Sequence, residues 1–502
     1  MKAESKLCLL LLVTLLMANC GGVLEVGIEQ TPTPDLRPVA TMRALIDDND
    51  RLATRIAAMA TPTSSVPPNL GRLAYRQGGD IWVKELPSGT PLRLTTDGRN
   101  SEPRWSPSGE WLALRKERQV TIEHEVPCEV SRPRSQSCTE STTVLQKQVW
   151  VIETTGNSEH PLTQGSSVDA FAWSPVDDRI AYSTSTGGLA VINADGTDLI
   201  TLVSLGIGSD ASKVGRFAWN PDGTSIAYEW RIQSSEQNSA YQGIWKVSMD
   251  GKERVELYAS GLPKKGEAVL AGWSPLGKRL FFWQSDTPVL SLTDGAPLYS
   301  INASPSKDNV PAQIGSVERE AVLSYSDFVA PAPRNALAEA RDAIAVVMGA
   351  NRSTWKNKRI EVGGRLVSPQ NMAAISPAWS PTGSRLAFAA MPERVDPVGS
   401  EAARQELMQR RIWVASALGE PQTWRLTDSA TYRDERPQWS AEGTHLLFAR
   451  MDAKGRTSLW VIAADGSSPR QVVDELTPAP PDPSGFYGHI EWEAWYDWWT
   501  GL

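Results

Sequence analysis

Histidine is scarce in this sequence. Its 502 residues include only His124, His160, His445 and His489, and no two of these stand at a His-x-x-x-His or similar spacing. That excludes the local imidazole patterns of zinc enzymes and leaves general-base chemistry without its commonest side chain. No Gly-x-Ser-x-Gly elbow and no phosphate-cradling glycine loop is present, so neither a serine hydrolase nor a nucleotide-binding motif is legible. There is no basic excess: 50 Lys and Arg stand against 58 Asp and Glu, for a formal charge of −8. Phosphate-backbone binding needs clustered cations, so nucleic acid is excluded as a partner class. Phenylalanine is also sparse, with eight Phe against 20 Trp. Such a skew calls for a recurring position that wants a large ring with an N–H donor.

Only one long apolar run exists, Leu7 to Met17, preceded by Lys2 and Lys6 and followed by Ala18-Asn19-Cys20-Gly21-Gly22. It is too short to span a bilayer comfortably and has the layout of a secretory signal over residues 1–20. A Cys behind such a run resembles the lipobox of bacterial lipoproteins, with Asn19 departing from the usual small residue. The resemblance implies a lipidated Cys20 and an extracytoplasmic, membrane-anchored protein; plain secretion is the alternative. Of the four cysteines, Cys8 lies in the signal, while Cys128 and Cys138 share one polar insertion. In an oxidising compartment their spacing reads as a disulfide, since a lone pair of thiolates makes a poor zinc site.

Residues 21–70 form a linker. Its Pro/Thr/Ser-rich stretches flank a segment, about 39–59, in which Met42, Leu45, Asn49, Leu52, Ile56 and Met59 fall at alternating spacings of three and four. This is a single amphipathic helix, or a short coiled coil through which the protein would oligomerise; about three heptads are marginal for association on their own.

From residue 71 to 502 one phrase recurs: an apolar residue, Trp-Ser-Pro, a turn with Gly, then an apolar strand. Copies stand at Trp105, Trp173, Trp219, Trp273, Trp379 and Trp439. Each reads as a hairpin. A second phrase follows, as IWV at Trp82, VWV at Trp150, LAV at Ala190, IWK at Trp245, VLS at Leu290, RIEV at Ile360, IWV at Trp413 and LWV at Trp460, and a short closing strand comes after it. Four short strands per unit predict an all-β propeller. Trp273 and Trp379 are twice the usual spacing apart, and YSDFVAP, DAIAVVMG and NKRIEV supply a degenerate unit between them. The chain enters mid-blade at RLAY and ends on HIEWEAWYDWW, so a C-terminal strand near Trp492 and Trp495 is expected to complete the first blade and close the ring. Eight blades result, or seven if the degenerate unit does not form.

The Trp-Ser-Pro-x-Gly hairpin, followed by Ile-Trp-Val, Ala-Asp-Gly and Leu-Thr, resembles the repeat of TolB-like propellers over nearly all of residues 71–502. The resemblance implies the fold and little about function, because propellers host binding proteins, peptidase accessory domains and lyases alike. TolB-like proteins carry a six-bladed ring behind an α/β domain, a pattern this chain departs from, so their partners are not carried over.

The repeated Trp residues are expected to be packing between blades rather than stacking platforms for a ligand. The Asp-Gly turns lack the further carboxylates of a calcium loop. Long insertions at 116–148, 231–243 and 391–410 each follow a second strand, which puts them on one face of the ring, where binding loops concentrate. Two charged pairs precede Trp residues on that face, Arg99 with Glu102 and Arg433 with Glu435, in GRNSEPRW and YRDERPQW. They are the candidate partner-binding residues, with an inter-blade ion pair as the other reading. No catalytic residue, metal ligand or cofactor site is identified. The expected function is non-catalytic binding or scaffolding of an envelope or extracellular protein, peptide or glycan. The rival is a propeller enzyme, a polysaccharide lyase or hydrolase, with a site assembled from distant segments around the channel.

Overall fold

The computed structural model describes residues 69–501, apart from 128–136, 156–157, 164, 166, 205–210, 234–239, 260–267, 285–295, 305–308, 315–328, 335, 337–339, 341, 350–354, 396–399, 421 and 477–488. The signal, Cys20, the helix at 39–59 and Cys128 lie outside these residues. Cys138 lies in a strand, but its side chain is not among the described ones.

The described strands form eight four-stranded antiparallel sheets, and seven of them use four consecutive strands. The eighth joins Arg72–Gln77, Asp80–Glu85 and Leu92–Arg93 to the C-terminal strand Tyr496–Trp499. This is blade 1, and the ring closes through it. The inner strands of blades 2 to 8 are Asn100–Trp105, Val168–Trp173, Ala211–Trp219, Ala268–Trp273, Val329–Pro331, Met372–Trp379 and Tyr432–Trp439. The degenerate unit therefore forms blade 6, and the count is eight.

The C-terminal strand completes blade 1 as expected. The closing strand starts just beyond Trp492 and Trp495, which belong to a one-turn 3-10 helix, Trp492–Ala494, and its cap. The register explains the shift: Trp498 pairs with Leu73 as Trp105 pairs with Leu112, so Trp498 fills the repeat's Trp position. In blade 5 the third strand is Leu298–Asn302, and the phrase expected to supply it at Leu290 lies outside the described residues. There Leu298 pairs with Trp283, and the strand is buried on both faces, Leu298 packing toward Val329 and Ile344 of blade 6 and Ile301 toward Ala227 and Ile244 of blade 4.

The local chemistry of Trp-Ser-Pro-x-Gly is now explicit. The serine is buried, and its hydroxyl accepts the N–H five residues on: Trp111 to Ser106 Oγ at 3.2 Å, Arg279 to Ser274 at 3.1 Å, Arg385 to Ser380 at 3.0 Å and His445 to Ser440 at 3.1 Å. The hydroxyl thus satisfies a backbone donor that the tight turn leaves over. Gly109 closes one such turn at φ 72°, and a Cβ there would also lie 2.5 Å from the Trp499 ring. Glycine alone meets both demands.

The tryptophans join neighbouring blades. Each indole Nε1 donates to the carbonyl just before the matching inner-strand residue of the preceding blade: Trp173 to Arg104 O at 2.9 Å, Trp219 to Ala172 O at 3.1 Å, Trp273 to Ala218 O at 2.9 Å, Trp379 to Ala330 O at 2.8 Å and Trp439 to Ala378 O at 3.0 Å. Phenylalanine would fill the space but could not make this bond, which accounts for the excess of Trp. The core is correspondingly inter-blade: Ala181, Leu189 and Val191 of blade 3 pack against Trp219, Ile226 and Tyr228 of blade 4.

The latch fails at three junctions. Pro331 takes the Trp position in blade 6 and has no donor. Around blade 1, Trp498 Nε1 turns back to Leu70 O at 2.8 Å, and the buried Trp105 Nε1 has no hydrogen-bond partner. Other contacts hold that seam. Asp497 Oδ2 accepts the Trp105 backbone N–H at 2.8 Å, and the Arg72 guanidinium lies 4.7 Å from the Trp105 ring centroid and 4.5 Å from that of Trp499.

Candidate functional site

In an antiparallel blade whose chain runs from inner to outer strand, the loop after the second strand shares a face with the start of the inner strand. All three insertions therefore rise around one mouth of the ring. In blade 2 the second and third strands, Trp111–Pro127 and Ser137–Glu153, are 17 residues each and pair without interruption from Trp111↔Glu153 to Pro127↔Ser137. In blade 4 the corresponding strands are Ser225–Gln233 and Ala240–Ser248. Blade 7 carries a helix, Glu401–Leu407, whose start is fixed by Ser400: its hydroxyl accepts the Ala403 N–H at 3.1 Å. Ala403 and Leu407 anchor the helix by burial.

A fourth elaboration was not anticipated. Blade 6 sends Trp355 from the loop between Ile344–Met348 and Arg359–Val362 onto the blade 7 insertion, where Trp355 bridges to Arg394. Trp355 is buried, and the fully buried guanidinium of Arg410 stacks 4.4 Å from its ring centroid. Arg410 ends the blade 7 insertion. Its Nη1 donates to Glu435 Oε1 of blade 8 at 2.7 Å, and its carbonyl accepts the Asp434 N–H at 3.1 Å. The other Glu435 oxygen accepts Trp492 Nε1, from the turn leading into the closing strand, at 3.1 Å. Blades 6, 7, 8 and 1 are thereby linked across the insertion face by Trp355, Arg410, Glu435 and Trp492.

The candidate residues fall into different settings. Arg433 and Glu435 are 2% and 3% exposed and pair with each other at 3.3 Å. They are interior residues of an ion-pair network, not a surface open to a partner. Arg99 is exposed on the rim. Glu102 is half-buried and bonds Arg115 Nε at 2.9 Å, while the Arg115 Nη1 and Nη2 groups donate to Val168 O and Asp169 O of blade 3 at 2.7 and 3.1 Å. Both clusters hold blades together.

The two motifs also align differently from the expected match. Glu102, Ser376 and Arg436 all adopt positive φ (52°, 53° and 48°) at a bulge three residues before the blade's Trp, and each precedes a proline. Glu102 therefore corresponds to Arg436, and Glu435 to Ser101. The proline two places before Trp105, Trp379 and Trp439 was the signal that would have set this register.

Burial alone would push the Glu435 carboxyl upward. The neighbouring Arg433 and Arg410 charges and the hydrogen bonds from Arg410 and Trp492 outweigh it and hold the group below the ordinary carboxylate range. Both oxygens are engaged, so Glu435 is in no position to take a substrate proton. Burial, opposed by Glu435 and aided by Arg433, lowers Arg410 from its ordinary value. Asp434 forms a second buried pair, two-pronged, with Arg450 at 2.7 and 3.0 Å. Among the described residues no group of three or more His, Cys, Asp or Glu converges on a metal position. His160 Nε2 is spent on Ala194 O at 3.1 Å, and His445 Nδ1 lies 3.0 Å from Thr444 Oγ1.

On the opposite, short-turn face a shallow depression of about 610 Å³ runs between the turns of blades 3 and 4, lined by Asp177, Asp222 and Asp250. Arg179, Thr224, and Ser248 with Lys252 respectively satisfy these carboxylates within their own turns.

No family model matches the chain. No curated protein matches it either. Solved structures do, distantly. An oligogalacturonate lyase from Vibrio parahaemolyticus is 9% identical over 81% of this chain and 87% of its own, with a TM-score of 0.41. TolB from Acinetobacter baumannii is 12% identical over 81% of this chain and 64% of its own, at 0.33. The β-propeller domain of the Trilobed protease from Pyrococcus furiosus is 10% identical over 80% and 91%, at 0.38. These likenesses are to the propeller fold alone, and the order of the strands already establishes that fold.

Proposed function

We propose that this chain is a cell-envelope lipoprotein whose eight-bladed ring is a non-catalytic binding module, holding an envelope or extracellular protein, peptide or glycan on the insertion-bearing face. The observation that carries the reading is the distribution of extra chain. Every long second-to-third loop noted in the sequence rises on one rim, and the blade 6 to blade 1 side of that rim is braced by Trp355, Arg410, Glu435 and Trp492. Elaborated loops on a rigid scaffold are where recognition concentrates, whereas on the opposite face the turns of blades 3 and 4 are compact and Asp177, Asp222 and Asp250 are satisfied within them. Buried charge is spent on bracing, so recognition falls to the exposed rim, including Arg99 and the blade 2 ribbon.

The test is to replace residues 117–147, and separately 394–409, by short turns. Arg410 is retained because it braces the scaffold. Both variants should remain cooperatively folded rings, the second somewhat less stable because Trp355 loses its cover from the blade 7 insertion, and both should lose cross-linking to the partner in the native envelope. Capture that survives both trims would remove the face from consideration. Export and anchoring are read separately: Cys20→Ala should abolish fatty-acid labelling and release the protein from membranes.

A further inference from the structure

The blade 2 ribbon has more sheet than its blade can use. The inner strand covers the second strand only as far as Asn100↔Lys116, with one further bond from the Glu117 N–H to Arg99 O at 3.1 Å. The outer strand covers the third only at Trp150–Ile152 and through the Leu162 N–H to Val149 O. Beyond Glu117 the described strands show the two arms in ladder pairing with each other alone, out to Pro127↔Ser137, a reach of roughly 35 Å at strand rise, with Gln146 and Lys147 of the third strand also bonding Gly165 and Ser167. An isolated two-stranded ribbon is marginal in water, and a third strand is what makes such an element stable.

The two edges are not alike. Because the Glu117 N–H points to the inner edge, the two-residue period directs the N–H and C=O groups of Gln119, Thr121 and Glu123 to that same edge, directly above the end of the inner strand. Among the described residues, none of these backbone groups has a partner strand. Ile122, 42% exposed, lies on one face of this edge with Val120, which pairs with Val144. Glu123 lies on the other face and is exposed.

We infer that the open edge from Arg118 to Glu123 receives an extended segment of a partner protein as an added antiparallel strand in line with the inner strand of blade 2. Backbone bonds supply the affinity, and alternate side chains supply the choice. An apolar residue meets Val120 and Ile122, and a Lys or Arg meets Glu123. The inference rests on the insertion face being the binding face, and it narrows the partner to a protein with an alternating basic and apolar segment.

The probe is a ten-residue synthetic peptide alternating lysine and valine, with a glutamate–valine peptide as its counterpart. The whole protein should bind the first and show slowed amide exchange confined to the stretch around 118–123. Thr121→Pro removes one outward donor at an edge, where proline is tolerated, and should weaken binding roughly tenfold. Glu123→Lys, which leaves the backbone intact, should exchange preference toward the glutamate peptide. Unchanged exchange on adding peptide, or equal binding by all three chains, overturns strand addition. If trimming 117–147 abolishes capture of the native partner while Thr121→Pro and Glu123→Lys leave it intact, strand addition fails and the binding-face reading stands. If the trim leaves native capture intact, the ribbon is not the binding element.

Discussion

Replacing a latch tryptophan by phenylalanine separates the two contributions that the repeat position makes. In Trp273→Phe the side chain stays apolar and loses part of its buried area, about 1 kcal/mol at 25 cal/mol per Å². It also loses the 2.9 Å indole bond to Ala218 O, a further cost of about 1–2 kcal/mol. Trp105 is the internal control. It occupies the same position, is buried to a similar degree, and its Nε1 has no partner to lose. Trp105→Phe should therefore cost about 1 kcal/mol, and Trp273→Phe about 2–3 kcal/mol. Unfolding entropy near 2.1 cal/mol/K per residue, over roughly 430 residues, converts each kcal/mol to about 1 °C. Melting points alone thus separate the variants by only one or two degrees, and urea midpoints fitted with a common slope are the better measure. Trp219→Phe, Trp379→Phe and Trp439→Phe should group with Trp273→Phe. If Trp105→Phe is as costly as the others, the indole bond contributes nothing and the excess of tryptophan is a matter of volume alone.

The Arg410–Glu435–Arg433 group supports opposite outcomes on its two sides: Glu435→Gln strips a carboxylate that pairs with two buried guanidiniums and should destabilise by about 3–5 kcal/mol, whereas Arg433→Met removes a buried cation whose Nη2 has no hydrogen-bond partner among the described residues and should be close to neutral, both read from denaturant midpoints. Because the Glu435 carboxyl is held below its usual range, its contribution is complete above the unfolded value of about 4.3 and disappears as pH falls through the folded value. The stability gap between the parent chain and Glu435→Gln should accordingly narrow in acid and stay constant near neutrality. Deleting the chain from Tyr496 onward leaves Arg72–Gln77 as an open inner edge and removes Asp497 from the Trp105 N–H. Such a chain should self-associate on size exclusion at concentrations where the intact one does not.

Local chemistry made most of the ring legible in advance. Trp-Ser-Pro-x-Gly is a complete set of instructions for one hairpin: an indole that needs both volume and a donor site, a hydroxyl that satisfies a turn N–H, and a glycine at positive φ. Repeated around the chain, it led to eight blades and a ring closed by the C-terminus, even through blade 6, where Pro331 replaces the Trp. The insertion face was legible for the same reason, since strand alternation alone decides which end of a blade each loop occupies. An ion pair between blades is one of the two readings of the charges at Arg433 and Glu435; what escaped was which distant segments supply its partners. Arg433 and Glu435 look like surface charges in the string YRDERPQW, yet they are buried, because Arg410 arrives from an insertion in blade 7 and Trp492 from the far end of the chain. Spacing within a segment cannot reveal a partner that only the curvature of the ring brings near. The bulge residues were missed on smaller grounds: Glu102 and Arg436 share a backbone conformation rather than a charge, and it is the backbone, held by the following proline and the Trp latch, that sets the register.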